Sequence, residues 1–547
     1  MAADPDPSTR AELVALLRAG DADAVRARFE HPLNFGTAGL RGTLGAGPAR
    51  MNRLVVRKTT AGLAKWVLDQ GAEAARRGIV VGRDARHRSD EFARDVAEVA
   101  GGAGLHVRVL PQPLPTPITA FAVKHFGAAA GVMITASHNP ASDNGYKVYL
   151  ADGAQVIPPQ DTLIAEAAGA APAPPPGSGG EQVELVDEVA LLGAYRRAVF
   201  GLLDSTGPRQ LRIVYTPLHG VGGAVLPGLL AEDGFEQVSV VAAQAVPDPD
   251  FPTLAFPNPE EPGALDLALA DAARLGADIV LANDPDADRL AVAVPDPVSG
   301  AWRVLSGDEL GVLLAEQVLA STTGADRLVA TTIVSSTMLS AMAAAAGVAY
   351  VETLTGFKWI ARAALRRPGS RFVFGYEEAL GYEVGDIVSD KDGLSAALVV
   401  AELAARAAAE GTSVVGRLDG LAARFGVYAN AQWSLRLAGP AAQSEMAEVV
   451  DRWRRDPPAS LAGLAVVEVV DYAKETGELP ATDALLLRLE EGARVVLRPS
   501  GTEPKLKAYL EVATRPPPPG RLAEARGRAG RVLQTLREDV AVRCQAS

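Results

Sequence analysis

The stretch IVVGRDARHRSDEFARDVAEVAGGAGLHVRVL, Ile79 to Leu110, carries the fold of this chain. An apolar run opens it, a polar loop follows, then a helix-like segment, then Gly104 and a second apolar run. Strand, loop, helix, glycine, strand is the order of a βαβ unit. The same order returns at Leu211 to Val241 and at Leu328 to Leu354. The three endings align as well: Gly104-Leu105-His106-Val107, Gly234-Phe235-Glu236-Gln237-Val238 and Gly347-Val348-Ala349-Tyr350-Val351. A unit that recurs in this way predicts three related α/β domains, with ligand loops at the C-terminal ends of their strands.

The last part of the chain follows another rhythm. From about Gly426 it alternates strand-like runs (Tyr428 to Leu437, Val466 to Tyr472, Arg494 to Leu497, Leu506 to Val512) before an amphipathic helix from Arg521 to Glu538. That pattern predicts a smaller α+β domain, expected to act as a mobile lid. Residues Ala171 to Gly180, rich in Pro, Gly and Ser, are expected to form an exposed insertion, and Phe200 to Arg209 a domain boundary.

With 547 residues, 48% of them hydrophobic, the chain can bury several cores, and its length predicts three or four domains. A net charge of -13 argues against a nucleic-acid footprint, so an anionic ligand must be drawn by local cations. One cysteine, Cys544, excludes an intramolecular disulfide framework and agrees with a reducing compartment. The acidic N-terminus shows no secretory signal. The alanine-rich run Leu394 to Ala409 carries Glu402 and Arg406 and reads as a packed helix rather than a membrane span.

Two loops carry the chemistry. Thr135-Ala136-Ser137-His138-Asn139-Pro140 follows the apolar segment Ala128 to Ile134 and offers Ser137 as a nucleophile. Asn283-Asp284-Pro285-Asp286-Ala287-Asp288-Arg289 follows Asp278 to Ala282 and offers three carboxylates, hard oxygen ligands suited to Mg²⁺. A serine beside such a cation points to phosphoryl chemistry, because a phosphoserine carries nearly two negative charges and needs a metal and cations to balance them. Arg41, Lys147, Arg498 and Lys505 stand in Gly-, Ser- or Thr-rich loops where backbone N–H groups approach phosphate oxygens.

Other readings of these motifs fare worse. An EF-hand starting at Asp284 wants glycine at its sixth position and glutamate at its twelfth, where Arg289 and Pro295 stand. A phosphatase with an aspartate nucleophile leaves the serine loop and the loop at Arg498 without a role. Ser137 and His138, being adjacent, are not expected to face each other as a protease pair, and no Gly-x-Ser-x-Gly elbow surrounds them. Gly220-Val221-Gly222 lacks the last glycine of a dinucleotide fingerprint, Val225 standing there, so NAD binding is rejected.

These motifs, with Gly36 to Gly42, Gly375 to Tyr382, Lys391-Asp392-Gly393 and Arg498 to Pro504, resemble the α-D-phosphohexomutases in order and spacing over nearly the whole chain. The resemblance implies an α/β fold of three related domains with mixed sheets plus the C-terminal α+β domain, arranged around a central cleft. The expected boundaries are 1–203 with the phosphoserine loop, 204–305 with the metal loop, 306–425 with the sugar loop, and 426–547 with the phosphate loop. It implies Ser137 as the phosphorylated residue, with Lys147, Arg41 and His138 as further catalytic candidates. Ser137, Asp284, Asp286 and Asp288 would hold Mg²⁺. Arg289, Thr355, Gly356, Glu377, Glu378, Lys391, Arg498, Ser500, Gly501 and Thr502 would contact the substrate. A lysine acting as base needs a depressed pKa.

The implied activity moves a phosphate between C1 and C6 of a hexose, through a phosphoserine and a hexose 1,6-bisphosphate that also serves as activator. Glucose 1-phosphate is the first expectation and mannose phosphate the second. A phosphopentomutase and a hexose-bisphosphate synthase are the alternatives, since Ala379 stands where many hexose-handling relatives carry serine. A sugar-phosphate-binding protein without turnover is the reading from a different class. Partners are expected to be small sugar phosphates, with no nucleic acid and no membrane, in a cytoplasmic monomer or weak homo-oligomer.

Overall fold

The computed structural model describes residues 4–33, 39–172, 180–436, 442–474, 479–499 and 505–545. The chain forms two compact units, Met1–Leu305 with Gly381–Ala409, and Ser306–Leu380 with Glu410–Ser547.

The first unit holds two sheets. Strands β1 (Leu40–Thr43), β2 (Ile79–Arg83), β3 (Val107–Val109), β4 (Ala130–Ile134), β5 (Asp143–Leu150) and β6 (Val183–Leu185) lie in the order β1-β5-β4-β2-β3-β6. Strands β7 (Arg212–Thr216), β8 (Gln237–Val240), β9 (Ile279–Ala282), β10 (Ala291–Pro295) and β11 (Trp302–Val304) lie in the order β11-β10-β9-β7-β8. In the second unit β12 (Arg327–Thr332) has β13 (Ala349–Thr353) and β14 (Arg371–Glu377) as parallel neighbours.

The three repeats share one core. A central strand (β2, β7, β12) lies parallel to the strand that follows it on one side (β3, β8, β13) and to a third strand on the other (β4, β9, β14). The glycines seen in the sequence end the connecting helices. Gly104, Gly234 and Gly347 have φ of +91°, +100° and +62°, and the next residue in each case donates its N–H five residues back, Leu105 to Ala100, Phe235 to Leu230 and Val348 to Ala343. A left-handed residue followed by a buried apolar one is how a helix stops and turns its chain back into a core. Leu105 and Phe235 are fully buried, each such burial contributing roughly 1.5–3 kcal/mol.

This topology places the functional loops. The serine loop follows β4, the aspartate loop follows β9 and the loop that begins at Glu378 follows β14, so all three occupy one position in three copies of a fold, at the C-terminal end of the third strand. The segment Gly381–Ala409 brings strand β15 (Gly381–Val384) and the helix Gly393–Ala409 to the first unit. Among the described residues no helix is long and apolar enough to cross a membrane.

The C-terminal sheet runs β16 (Tyr428–Arg436), β17 (Ser460–Leu461), β18 (Leu464–Asp471), β19 (Leu485–Leu489), β20 (Ala493–Pro499) and β21 (Lys505–Ala513), in the order β16-β21-β20-β19-β18-β17, with a helix at Leu522–Gln545. The sequence pattern passed over β19. One apolar cluster joins this sheet to the third repeat, Ile333, Val334 and Leu354 packing with Leu486, Val496 and Tyr509. Beside it the buried Arg494 donates to Glu511 Oε1 (3.0 Å), to the carbonyl of Ile333 (3.2 Å) and to that of Ser335.

Asp308 lies in the same unit, its Oδ1 accepting from the Ser336 N–H at 2.6 Å and from Tyr376 Oη at 3.2 Å. Burial pushes its carboxyl up to about 7, opposed by the Ser336 N–H and helped by Glu378 and Glu511. The folded protein therefore keeps a proton that the unfolded chain releases from about pH 4 upward. Stability falls with rising pH until the folded carboxyl itself ionises near 7, a cost of at most about 4 kcal/mol. Asp308→Asn should melt several degrees above the native protein at pH 8, with the gain shrinking toward pH 4. A gain that is the same at every pH would contradict this reading.

Candidate active site

Ser137 follows β4 in a left-handed turn, φ +52°, and is 2% exposed. Its N–H donates to Thr135 Oγ1 at 2.9 Å and its Oγ to Asp284 Oδ2 at 2.9 Å. The two loops that stand 147 residues apart in sequence thus meet through the serine hydroxyl. His138 Nδ1 lies 3.4 Å from Ser137 Oγ. Adjacency argued against that approach, but in the left-handed turn successive side chains are no longer on opposite sides, as they are in extended chain. Burial, and then the charges of Arg289 and Arg41, hold the imidazole well below its usual pKa, so it is neutral.

Asp284, Asp286 and Asp288 are buried, and each offers an oxygen such that all three lie within 4.8 Å of one another. Straight extended chain would hold alternate residues nearly 7 Å apart; the turn through Ala287, φ +55°, gathers them. Burial and the neighbouring charges of Asp286 and Asp288 push the Asp284 carboxyl well up. For Asp286, burial also works upward, but Lys147 and Thr116 hold it below the usual carboxylate range. Oδ1 of Asp286 and Oδ1 of Asp288 are buried without a hydrogen bond. Two orphaned carboxylate oxygens beside a third acid fit a hard divalent cation, which would supply the missing ligation.

Cations surround this loop. Lys147, on β5, is 2% exposed and donates to Oδ2 of both Asp286 and Asp288 at 2.8 Å. The expected depressed pKa is not what this arrangement gives. Burial lowers it, yet the two carboxylates outweigh burial and the net shift is upward, so the amine is charged. Lys391 Nζ is 3.5 Å from Asp288, and Arg289 lies 3.6 Å from Glu260. Arg41, on β1, donates to Asn139 Oδ1 at 3.1 Å. Strand β1 can approach here only because residue 39 is glycine. Its φ is +92°, and a Cβ would stand 2.1 Å from the Tyr146 carbonyl oxygen, next to Lys147.

Several supporting residues gave no signal in the sequence. Thr116 donates its hydroxyl to Asp286 Oδ2 at 2.7 Å and its N–H to the Asp286 carbonyl at 2.8 Å, across 170 residues. Tyr215 Oη donates to Asn283 Oδ1 at 2.9 Å, and Asn283 Nδ2 to the Arg289 carbonyl at 2.6 Å, closing the aspartate loop on itself. The weak Gly220-Val221-Gly222 motif belongs to this support. The Val221 N–H donates to the Pro285 carbonyl at 2.8 Å, and a Cβ on Gly220 would stand 2.3 Å from Pro285 Cα. Gly220→Ala must therefore push the aspartate backbone, and we expect the Mg²⁺ concentration for half-maximal activity to rise about tenfold. An unchanged metal requirement would count against this support.

In the second unit, Glu378 Oε2 accepts from Ser335 Oγ at 3.2 Å and Thr332 Oγ1 at 3.4 Å, while Glu377 ends β14 half-buried. Thr355 and Gly356 follow β13, with Gly356 at φ +107°. Arg498 sits on β20 opposite Lys507 of β21. Ser500, Gly501 and Thr502, and likewise Gly36 to Ala38, lie outside the described residues.

A buried hydroxyl against clustered carboxylates, with cations at their edge, is an arrangement that can hold a metal ion beside a hydroxyl nucleophile. Four family profiles match in order: the phosphoglucomutase/phosphomannomutase α/β/α domains I, II and III at residues 32–173, 195–299 and 306–421, and the C-terminal domain at 448–516. A "Probable phosphomannomutase" of Haemophilus influenzae is 42% identical over 85% of this chain and 94% of its own length. A "Probable phosphoribomutase" of Schizosaccharomyces pombe is 38% identical over 93% of this chain and 91% of its own. The crystal structure of a phosphoglucomutase/phosphomannomutase family protein from Burkholderia thailandensis shares the fold, with TM-score 0.70 and 22% identity over 93% of this chain and 98% of that one. The chain belongs to the phosphoglucomutase/phosphomannomutase family, whose members are phosphosugar mutases.

Proposed function

We propose that this enzyme interconverts the 1- and 6-phosphates of a hexose, glucose first and mannose second, through phosphorylated Ser137. The observation that carries the reading is Ser137 Oγ, 2.9 Å from Asp284 in a loop with two buried carboxylate oxygens that accept no hydrogen bond. In the forward half-reaction a sugar hydroxyl attacks the phosphorus on Ser137. The P–Oγ bond breaks, a P–O bond to the sugar forms, and the hydroxyl proton passes to a neutral base, a role open to Lys147 only once it gives up the charge that Asp286 and Asp288 hold on it. The bisphosphate so formed turns end for end, and its other phosphate returns to Ser137. Enzyme and proton count are restored.

Mg²⁺ is the proposed ion, held by Asp284, Asp286, Asp288 and the phosphoserine, and when bound it would offset charge on the transferring group. Arg41 and Arg289 add fixed positive charge, His138 stays neutral beside Oγ, and Lys391 is a proposed contact to the substrate. Glu377 and Glu378 are the proposed sugar contacts, Arg498 the proposed phosphate contact, and Thr355 and Gly356 further proposed substrate contacts. Hexose 1,6-bisphosphate is the proposed activator because it can charge an unphosphorylated Ser137. A cytoplasmic monomer or weak homo-oligomer is the proposed setting.

A pentose reading has its own support. Ala379 brings no hydroxyl to the sugar loop, and the relative named for ribose aligns with nearly the whole chain. Mutase rates on glucose 1-phosphate and ribose 1-phosphate, measured side by side with Mg²⁺ and a trace of glucose bisphosphate, test the choice. We expect the hexose to be favoured; a higher kcat/KM for the pentose would replace the hexose reading.

A further inference from the structure

Arg86 lies in the loop after β2, the central strand of the first repeat, and its side chain is almost wholly buried. Its guanidinium donates to four carbonyl oxygens of one segment. Nη1 reaches Pro140 O at 2.7 Å and Asp143 O at 3.2 Å, and Nη2 reaches Ser137 O at 2.7 Å and Asn139 O at 2.5 Å. Its Cζ lies 4.9 Å from the centroid of the Phe251 ring, and Nε is 3.4 Å from Asp84 Oδ2. Asp84 Oδ1 in turn accepts from the Arg86 N–H at 3.0 Å and from Ser89 Oγ at 2.6 Å. We propose that Arg86 is the positioning residue of the serine loop, fixing the left-handed turn that aims Ser137 Oγ at Asp284.

The other repeats carry an equivalent device. The loop after β7 supports the aspartate loop through Val221, and the loop after β12 supports Glu378 through Ser335. In each case the segment after the central strand holds the functional segment after the third strand. Burying a guanidinium is costly, and burial does lower the Arg86 pKa, with Asp84 opposing that shift. Four converging carbonyls return the lost hydration in a way that only a planar fork can match; a lysine ammonium, with three donors on one atom, cannot span them. A buried positive charge bonded to the serine's own carbonyl is also well placed to oppose the charge of a phosphoserine.

The inference rests on the phosphoserine reading above, and one experiment separates the two. The full-length protein is mixed with glucose 1,6-bisphosphate and Mg²⁺, phosphate on Ser137 is followed by intact and peptide mass, and steady-state rates are measured alongside. If the native protein takes no phosphate on Ser137, the phosphoserine reading fails. If it does, Arg86→Lys should slow the transfer and lower kcat by about 10²-fold, while KM for glucose 1-phosphate moves less than about twofold. Arg57→Lys is the control. Arg57 is equally buried but bonds Asp95 and Glu98, so its replacement should lower the melting temperature and leave kcat unchanged. Asp84→Asn, which loosens Arg86 without removing it, carries the test should Arg86→Lys not fold, with an expected loss of about tenfold in the same transfer rate. Native-like transfer in a folded Arg86→Lys protein, or in Asp84→Asn where that protein does not fold, would overturn the proposal.

Discussion

Ser137→Ala is expected to lower mutase turnover by roughly 10⁴-fold or more, since removing a covalent nucleophile removes the reaction path rather than one contact along it. The fold should survive. The lost hydroxyl donates to Asp284 Oδ2 and lies 3.4 Å from His138 Nδ1, and the Asp284 oxygen remains beside Arg289 and the proposed cation. The variant should also fail to take phosphate from glucose 1,6-bisphosphate while still binding it, measured by calorimetry. This separates the mutase from a binding protein that kept the same residues, for which the substitution would change little. Turnover within a few-fold of native would sink the phosphoserine mechanism.

Asp286→Asn should cost on the order of 10³-fold in kcat at saturating Mg²⁺, and weaken metal binding by more than tenfold. Oδ2 of Asp286 accepts from Lys147 and Thr116, and Oδ1 is one of the two buried oxygens without a hydrogen bond that the proposed ion would take. An amide would either turn its NH₂ toward the Lys147 ammonium or present it to the cation, and both arrangements are repulsive. Direct Mn²⁺ binding read by electron paramagnetic resonance separates loss of the ion from loss of activity. Binding and kcat both within a few-fold of native would remove Asp286 from the metal site. Chelation of the native protein should abolish activity reversibly, with recovery on adding Mg²⁺.

Much of the site could be read from the chain because its chemistry is packed into short loops between regular elements. A strand followed by Thr-Ala-Ser-His-Asn-Pro, and another followed by three alternating aspartates, offer a candidate nucleophile and candidate ligands, and it is the pair, with the family resemblance, that singles them out. The repeats were legible for a related reason. A glycine that ends a helix and an apolar residue that follows it form a local signal, set by backbone sterics within six residues.

What stayed hidden was every residue whose role comes from contact across a long separation. Thr116 looks like part of a proline-rich turn, Tyr215 like a strand aromatic, and Arg86 like one more surface arginine in a polar loop. Nothing near them in sequence shows that they will meet Asp286, Asn283 or the carbonyls around Ser137. The charge state of Lys147 was out of reach for the same reason. Its neighbours Asp286 and Asp288 decide it, and they stand 139 and 141 residues away.

The sequence by itself determined the repeat, the helix stops, the candidate nucleophile and the acidic triad, because these follow from backbone geometry and from side-chain chemistry within a few residues. Only the tertiary structure decided that the serine loop, the aspartate loop and the loop at Glu378 are one structural position used three times. It also decided which buried polar groups hold two of these loops and Glu378 of the third, and which carboxylate oxygens accept no hydrogen bond. Those are properties of distance in space, fixed by the packing of whole sheets and helices and by the cost of leaving a buried charge or dipole without a partner.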